Sequence, residues 1–187
     1  CNTRGKTIIS LLKRSKSYEY IEEAQKLVPK GQFVQEVEIV NTITLPPEFT
    51  SLIDHPTDIM GKHALAYLKR RGIFMNDILK YNIGYCESGE YQNMVIIPSY
   101  DANGNLNYFT ARSFEKEPYR KYKNPSVSRD IVPFEMFINW NSPLVLCEGP
   151  FDAIAIKRNA IPLLGKNIQS SLMKKIVSSK VEKIYIA

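Results

Sequence analysis

Apolar residues recur at spacings near three and four at Ile8, Leu11, Leu12, Tyr18, Ile21, Ala24 and Leu27, a period that predicts helix over 7–27 with a break near Ser15 to Ser17. The pattern then lapses. Pro29, Gly31, Pro46 and Pro47 punctuate residues 28–47 around one extended stretch at 33–40, which marks a linker and a candidate domain boundary. Helical spacing returns at Ala64, Leu65, Tyr67 and Leu68, closed by Lys69, Arg70 and Arg71 and by Gly72 at the C-cap position, and a second short helix follows over 75–79. Residues 94–98 and 106–111 read as strands, and Asp101, Ala102, Asn103 and Gly104 between them tolerate the positive φ of a hairpin turn. This part of the chain reads as α+β.

From Leu144 the order of elements changes to strand 144–147, helix 151–159, strand 161–164, helix 170–178 and strand 183–187. Strands alternating with helices across short loops predict a parallel sheet with crossover helices, whose ligands sit at the carboxyl ends of the strands, where Glu148 and Gly165 stand. Residues 181–187 read as a buried strand that stops without a turn, and the chain opens on Cys1 rather than methionine; both ends predict an internal piece of a longer protein.

Composition narrows this little. At 187 residues, 44% apolar and 24% charged, the chain is a soluble globular protein of one good-sized domain or two small ones, not a disordered one. No apolar run approaches the roughly 18 residues that cross a bilayer, and no signal-peptide profile opens the chain, so a cytoplasmic protein without a membrane partner is expected. Three widely separated cysteines, Cys1, Cys86 and Cys147, argue against a disulfide framework and for a reducing compartment. The net charge of +6 is compatible with a polyanionic partner and equally with a lysine-rich surface.

Glu148 follows a buried-looking strand and precedes a Gly149-Pro150 turn into a helix, a place where an ionised carboxylate is costly to bury without a cation or a proton. It equally fits a first-turn acid that complements a helix dipole, as does Asp152, and position alone does not separate the two. Upstream, Arg112, Arg120, Lys121 and Lys123 interleave with Phe109, Phe114, Tyr119 and Tyr122. Cations that track phosphates and aromatic faces that stack on unpaired bases make such a cluster a single-strand interface; a hairpin edge protected by its charges, with alternate aromatics packed inward, is the competing reading. His55, His63 and Trp140 read as structural or exposed, with Trp140 a packing anchor.

A resemblance joins these pieces. The run LVLCEGPFDAIAI at 144–156 resembles the opening motif of the TOPRIM domain shared by bacterial-type primases and topoisomerases, and IPLLGKNIQ at 161–169 resembles its second strand and glycine turn. AYLKRRGI at 66–73, IGY at 83–85, residues 104–112 and YRKYKNP at 119–125 are similar to the polymerase core of bacterial and phage-type DNA primases, which topoisomerases do not share. CNTRGKTIISLL at 1–12 is similar to the end of the primase zinc ribbon.

The resemblance implies four segments: 1–27, the zinc-ribbon tail and following helix; 28–47, a linker; 48–143, the basic N-terminal subdomain of the polymerase core; and 144–187, the start of an α/β TOPRIM fold with a parallel sheet. It implies a DNA-directed RNA polymerase that makes short RNA primers on single-stranded DNA from ribonucleoside triphosphates, working with a replicative helicase. In that family Glu148, supported by Asp152, matches the acidic site that holds Mg2+ or Mn2+ with an Asp-x-Asp pair expected beyond Ala187, and Cys1 matches the last Zn2+ ligand, with the other three ligands outside this chain. Arg112, Lys121, Tyr122 and Asn124, with Arg71 and Lys166 as further matches, would line the groove for template, nucleotide and nascent strand. Lys166 departs from the commoner small polar residue, and Pro150 departs where a helix-starting proline is tolerated. Two alternatives stay open: another TOPRIM enzyme, a topoisomerase or nuclease, and a non-catalytic module that binds single-stranded DNA through the 112–123 face.

Overall fold

The computed structural model describes residues 43–53, 56 and 58–187. The helix expected over 7–27, the extended stretch at 33–40, Cys1 and His55 lie outside the described residues, as does most of the expected linker.

Four strands form an antiparallel sheet in the order β1 (Phe49–Ser51), β2 (Gly84–Cys86), β3 (Met94–Tyr100) and β4 (Leu106–Ser113). The expected hairpin is β3–β4, in register from Met94 opposite Ser113 to Ser99 opposite Tyr108, and Gly104 turns it with φ of 83°. Successive side chains of a strand face opposite sides, and both sides are covered here: Val95 and Ile97 join one core cluster, while Met94 and Ile96 join another with Phe109, Ala111 and Cys86. β1 and β2 were not anticipated. Three residues are too few to display a period, and β2 is buried along its whole length.

Two helices, α1 (Ile59–Arg70) and α2 (Met75–Tyr81), pack on the Val95 side of this sheet through Ala64, Leu68, Ile78 and Tyr81. Gly72, at φ of 73°, sits one residue beyond the α1 C-cap Arg71, which is the left-handed stop its sequence position predicted. Burial pushes the Tyr81 phenol up to about 12, with the nearby Asp77 carboxylate adding to the effect. α1 begins at Asp58, whose carboxylate accepts from the Gly61 amide at 2.7 Å and from the Tyr85 hydroxyl at 2.6 Å. The Tyr85 bond, then the Gly61 bond, hold the Asp58 carboxyl below its ordinary value. A carboxyl depressed on folding contributes stability that is fully present above its unfolded value of about 3.9 and is lost as pH falls through its folded value. Asp58→Asn keeps a capping residue and removes the charge. The gap in melting temperature between wild type and this variant is therefore expected to shrink as pH falls from about 5 to about 3; a gap that holds constant over that range would contradict the assignment.

The second sheet is parallel, in the order β6 (Ala160–Pro162), β5 (Leu144–Cys147) and β7 (Ile184–Ile186). α3 (Pro150–Ala155) and α4 (Ser170–Ser178) are its crossovers, which bears out the alternation read from sequence. Two bounds and one burial differ from expectation. α3 stops four residues before Asn159, with Lys157 at φ of 56°. Tertiary partners win over continued helix there: Lys157 pairs with Asp77 of α2, and the Asn159 side chain donates to the Asn139 carbonyl at 2.8 Å and the Pro143 carbonyl at 3.1 Å while accepting from the Asn139 amide at 2.9 Å. β6 ends early because Leu164 turns left-handed at φ of 55°. β7, expected to be buried, is exposed at Ile184, Tyr185 and Ile186: among the described residues it is an edge strand, bonded to β5 on one side.

The larger core cluster runs through both sheets, taking Leu52, Leu68, Ile73 and Ile97 from the first half of the described chain and Cys147, Phe151, Ile154 and Ala160 from the second. The opposite face of the parallel sheet packs Leu144, Leu146 and Ile161 against Leu172 of α4, with Trp140 at its rim as a packing residue. Among the described residues no helix is long and apolar enough to cross a membrane.

Candidate active-site cleft

The shared core sets the carboxyl ends of β5 and β6 beside the far end of β4, and a cleft of about 480 Å³ opens between them. Its first wall comes from β4 and a returning chain segment. The Ser113 amide donates to the Lys121 carbonyl and the Lys123 amide to the Ala111 carbonyl, each at 3.1 Å, so residues 121–123 lie against β4 as a short antiparallel addition centred on the Arg112–Tyr122 bridge. The Asn124 side-chain oxygen accepts from the Ala111 amide at 3.3 Å and continues the ladder. Thr110 and Arg112, two residues apart on one strand, share the face that lines the cleft with Lys121, Tyr122 and Asn124.

Arg112 is 7% exposed, and no ion-pair partner for it stands among the described residues. Its Nη1 donates to the Tyr122 hydroxyl, its guanidinium carbon lies 4.7 Å from the Tyr122 ring centroid, and its buried Nε has no partner. Isolated buried charge is costly, so aromatic faces and one hydroxyl hold a guanidinium that is left free to meet an anion.

The second wall is the β5–α3 turn. Glu148 leaves β5, Gly149 is the N-cap of α3, and Pro150 takes the first helical position, where its missing N–H costs nothing. Glu148 and Asp152 both line the cleft and both are exposed. That corrects one step of the sequence argument: Glu148 is not buried, so desolvation does not compel a ligand, and the case for a cation rests on its neighbours. Asp152 folds back over the turn, its Oδ2 standing 3.3 Å from where a Cβ on Gly149 would lie. Just behind them Cys147 is buried, and burial, then the Asp152 charge, push its thiol up to about 12, which leaves it protonated and inert at neutral pH. Cys86 is likewise buried and raised to about 11 by burial.

The structure therefore brings Glu148, Asp152, Arg71, Arg112, Lys121, Tyr122 and Asn124 to one cleft. Lys166 is exposed beyond Gly165 and does not line it. The interleaved basic run divides: Lys123 turns away to pair with Glu90 at 3.0 Å, and Arg120 lies with the fully exposed Tyr119 over a separate depression. Phe109 and Phe114 pack inward, so half of the aromatics are core. Sequence reasoning missed Thr110, Phe151 and Leu164 as lining residues. Thr110 was findable from the period of two that links it to Arg112; the other two depend on contacts between distant segments.

Among the described residues no three His, Cys, Asp or Glu side chains converge as a closed metal cage. A carboxylate pair beside cations fits a different mode. Magnesium and manganese accept one or two protein carboxylates and complete their shell with water and substrate phosphates, and Glu148 and Asp152 are the carboxylates lining the cleft that could serve as such donors.

No family model matches the chain. An uncharacterized Mycoplasma genitalium protein, MG010, is 33% identical over 135 residues, covering 66% of this chain and 60% of that protein. Among solved structures, the Aquifex aeolicus primase (zinc-binding and RNA polymerase domains) superposes with a TM-score of 0.57 at 20% identity, over 73% of this chain and 43% of that one. A DnaG primase catalytic domain bound to single-stranded DNA gives 0.58 at 17% identity, over 73% and 57%, and the E. coli primase catalytic core gives 0.57 at 17%, over 73% and 56%. The chain thus spans 60% of its Mycoplasma relative and between 43% and 57% of these primase chains. At these identities the likeness is one of fold: an antiparallel sheet with covering helices followed by a parallel sheet, similar to the catalytic core of bacterial primases.

Proposed function

We propose that the protein to which this chain belongs is a DNA primase, a DNA-directed RNA polymerase that builds short RNA primers on single-stranded DNA. The observation that carries this reading is the cleft itself, in which Arg71, a buried and acid-free Arg112, and Lys121 face Glu148 and Asp152. Cations of this kind hold phosphates, and the carboxylates hold the divalent ion that phosphoryl transfer uses. The half-exposed Tyr122 ring offers a face to an unpaired base. The fold likeness to a DnaG domain bound to single-stranded DNA supports the choice of template.

In this reading 144–187 is the start of a TOPRIM domain, 48–143 the basic subdomain before it, and Cys1 the last zinc ligand of an N-terminal ribbon. Glu148 and Asp152 would hold Mg2+ or Mn2+, which when bound neutralises charge on the reacting phosphates. Arg112, Arg71 and Lys121 orient the ribonucleoside triphosphate so that the primer 3′-hydroxyl attacks the α-phosphorus and pyrophosphate leaves. Asn124 keeps the 121–123 segment seated on β4, and a replicative helicase would deliver the template.

The test is primer synthesis by the full-length protein on single-stranded DNA with ribonucleotides and magnesium or manganese. Short RNA products are expected. Absence of primers on every template, with salt-sensitive single-strand binding retained, would replace the reading with a non-catalytic binding module; strand cleavage or relaxation of supercoils instead would favour another TOPRIM enzyme.

A further inference from the structure

Phe151 stands third after Glu148, in the first turn of α3, and is 6% exposed. The guanidinium carbon of Arg112 lies over its ring at 5.2 Å from the centroid and that of Arg71 at 5.6 Å, while Tyr67 meets it edge-on at 6.2 Å. The two arginines come from β4 and from the end of α1, far apart in sequence, and neither has a carboxylate partner among the described residues. An acid at this point would fix the arginines and cancel their charge. A ring face also attracts a guanidinium, through its quadrupole, but carries no net charge.

We infer that Phe151 is a positioning residue that sets Arg71 and Arg112 as one uncompensated cationic pair for a polyphosphate group and ties that pair to the turn bearing Glu148. The inference rests on the primase reading only in choosing a polyphosphate as ligand. Phe151 touches the arginines rather than the phosphate, so its effect runs through the electrostatics of its ring. Like charges draw together badly in water; a ring that interacts with both guanidiniums lowers the cost of keeping two cations on one wall. The buried Arg112 Nε has no partner among the described residues, so the guanidinium keeps an unused donor.

Inorganic tripolyphosphate, titrated calorimetrically into the full-length protein, is the probe. Phe151→Leu is expected to weaken binding roughly fivefold to twentyfold and to flatten its dependence on salt. Because leucine also alters packing, the decisive series replaces Phe151 by phenylalanines carrying one, two and five ring fluorines, which preserve the shape of the ring and progressively withdraw the negative charge of its face. Affinity is expected to fall stepwise with fluorine number while the melting temperature holds. Affinity indifferent to fluorination, or no tripolyphosphate binding by the wild-type protein, would overturn the inference. Ring-dependent binding in a protein that makes no primers would leave it standing and sink the primase reading instead.

Discussion

Glu148→Gln is expected to lower primer synthesis by about a hundredfold or more, the scale seen when one charge-stabilising group is removed from a transition state, while leaving single-stranded DNA binding intact. The substitution keeps size and shape and removes only the charge. Because Glu148 is exposed and makes no hydrogen bond or ion pair within the described chain, folding stability should move by no more than about 0.5 kcal/mol. In the primase reading the cations of the cleft, Arg71, Arg112 and Lys121, would carry the DNA affinity, so losing a nearby negative charge should leave it equal or slightly tighter. The two measurements are a primer-extension assay across magnesium concentrations and fluorescence anisotropy with a labelled single strand. A variant that primes at the wild-type rate would remove Glu148 from the catalytic account, and one that primes poorly only because it no longer binds DNA would move it to the template site.

On stability, Gly84→Ala is expected to be the most damaging conservative change in the antiparallel sheet, at about 1–3 kcal/mol, or a fall in melting temperature of about 2–4 °C for each kcal/mol. Gly84 lies on β2 between β1 and β3, paired with Ser51 on one side and Ile96 on the other. An added Cβ would stand 2.3 Å from Cε2 of Phe49 and 2.4 Å from the Thr50 carbonyl oxygen. The Phe49 ring is the end of a side chain packed beside Cys86 and Ile96, and the Thr50 carbonyl belongs to the backbone of β1 and moves only with the strand. Gly104→Ala is the control: its φ of 83° strains a side chain at about 1–2 kcal/mol, but open space surrounds it. Denaturant melts in which Gly84→Ala costs no more than Gly104→Ala would contradict the close approach.

Local signals reached far along this chain. The β3–β4 hairpin and the alternation after Leu144 were legible because hydrophobic period and turn residues act over a few neighbours, and the Glu148 turn was legible as a motif. The sheet's first two strands were not. Gly84–Cys86 is a strand because β3 is there to receive it, and Phe49–Ser51 because β2 in turn receives it, while Gly84 reads locally as a breaker. The early end of α3 is likewise a tertiary result, fixed by Asp77 from 80 residues upstream and by the carbonyls that Asn159 satisfies. In the cleft, motif residues were found and Phe151 was passed over, because its work is to touch two arginines whose positions only the fold reveals.

The strand order of the parallel sheet has a consequence for how the protein is made. β5, which carries Glu148 at its end, finds both of its partners later in the sequence, β6 at 160–162 and β7 at 184–186. During synthesis from the N-terminus it leaves the ribosome as a lone apolar strand, while the β3–β4 hairpin ahead of it can already close on local contacts. Its Val145 and Cys147 side has the finished antiparallel half to settle against, whereas its Leu144 and Leu146 side has only Val132, Ile138 and Trp140 until α4 follows. A pause in synthesis after β5 has emerged from the ribosome but before α4 has done so would prolong the interval in which that side is open to chaperones and to other nascent chains.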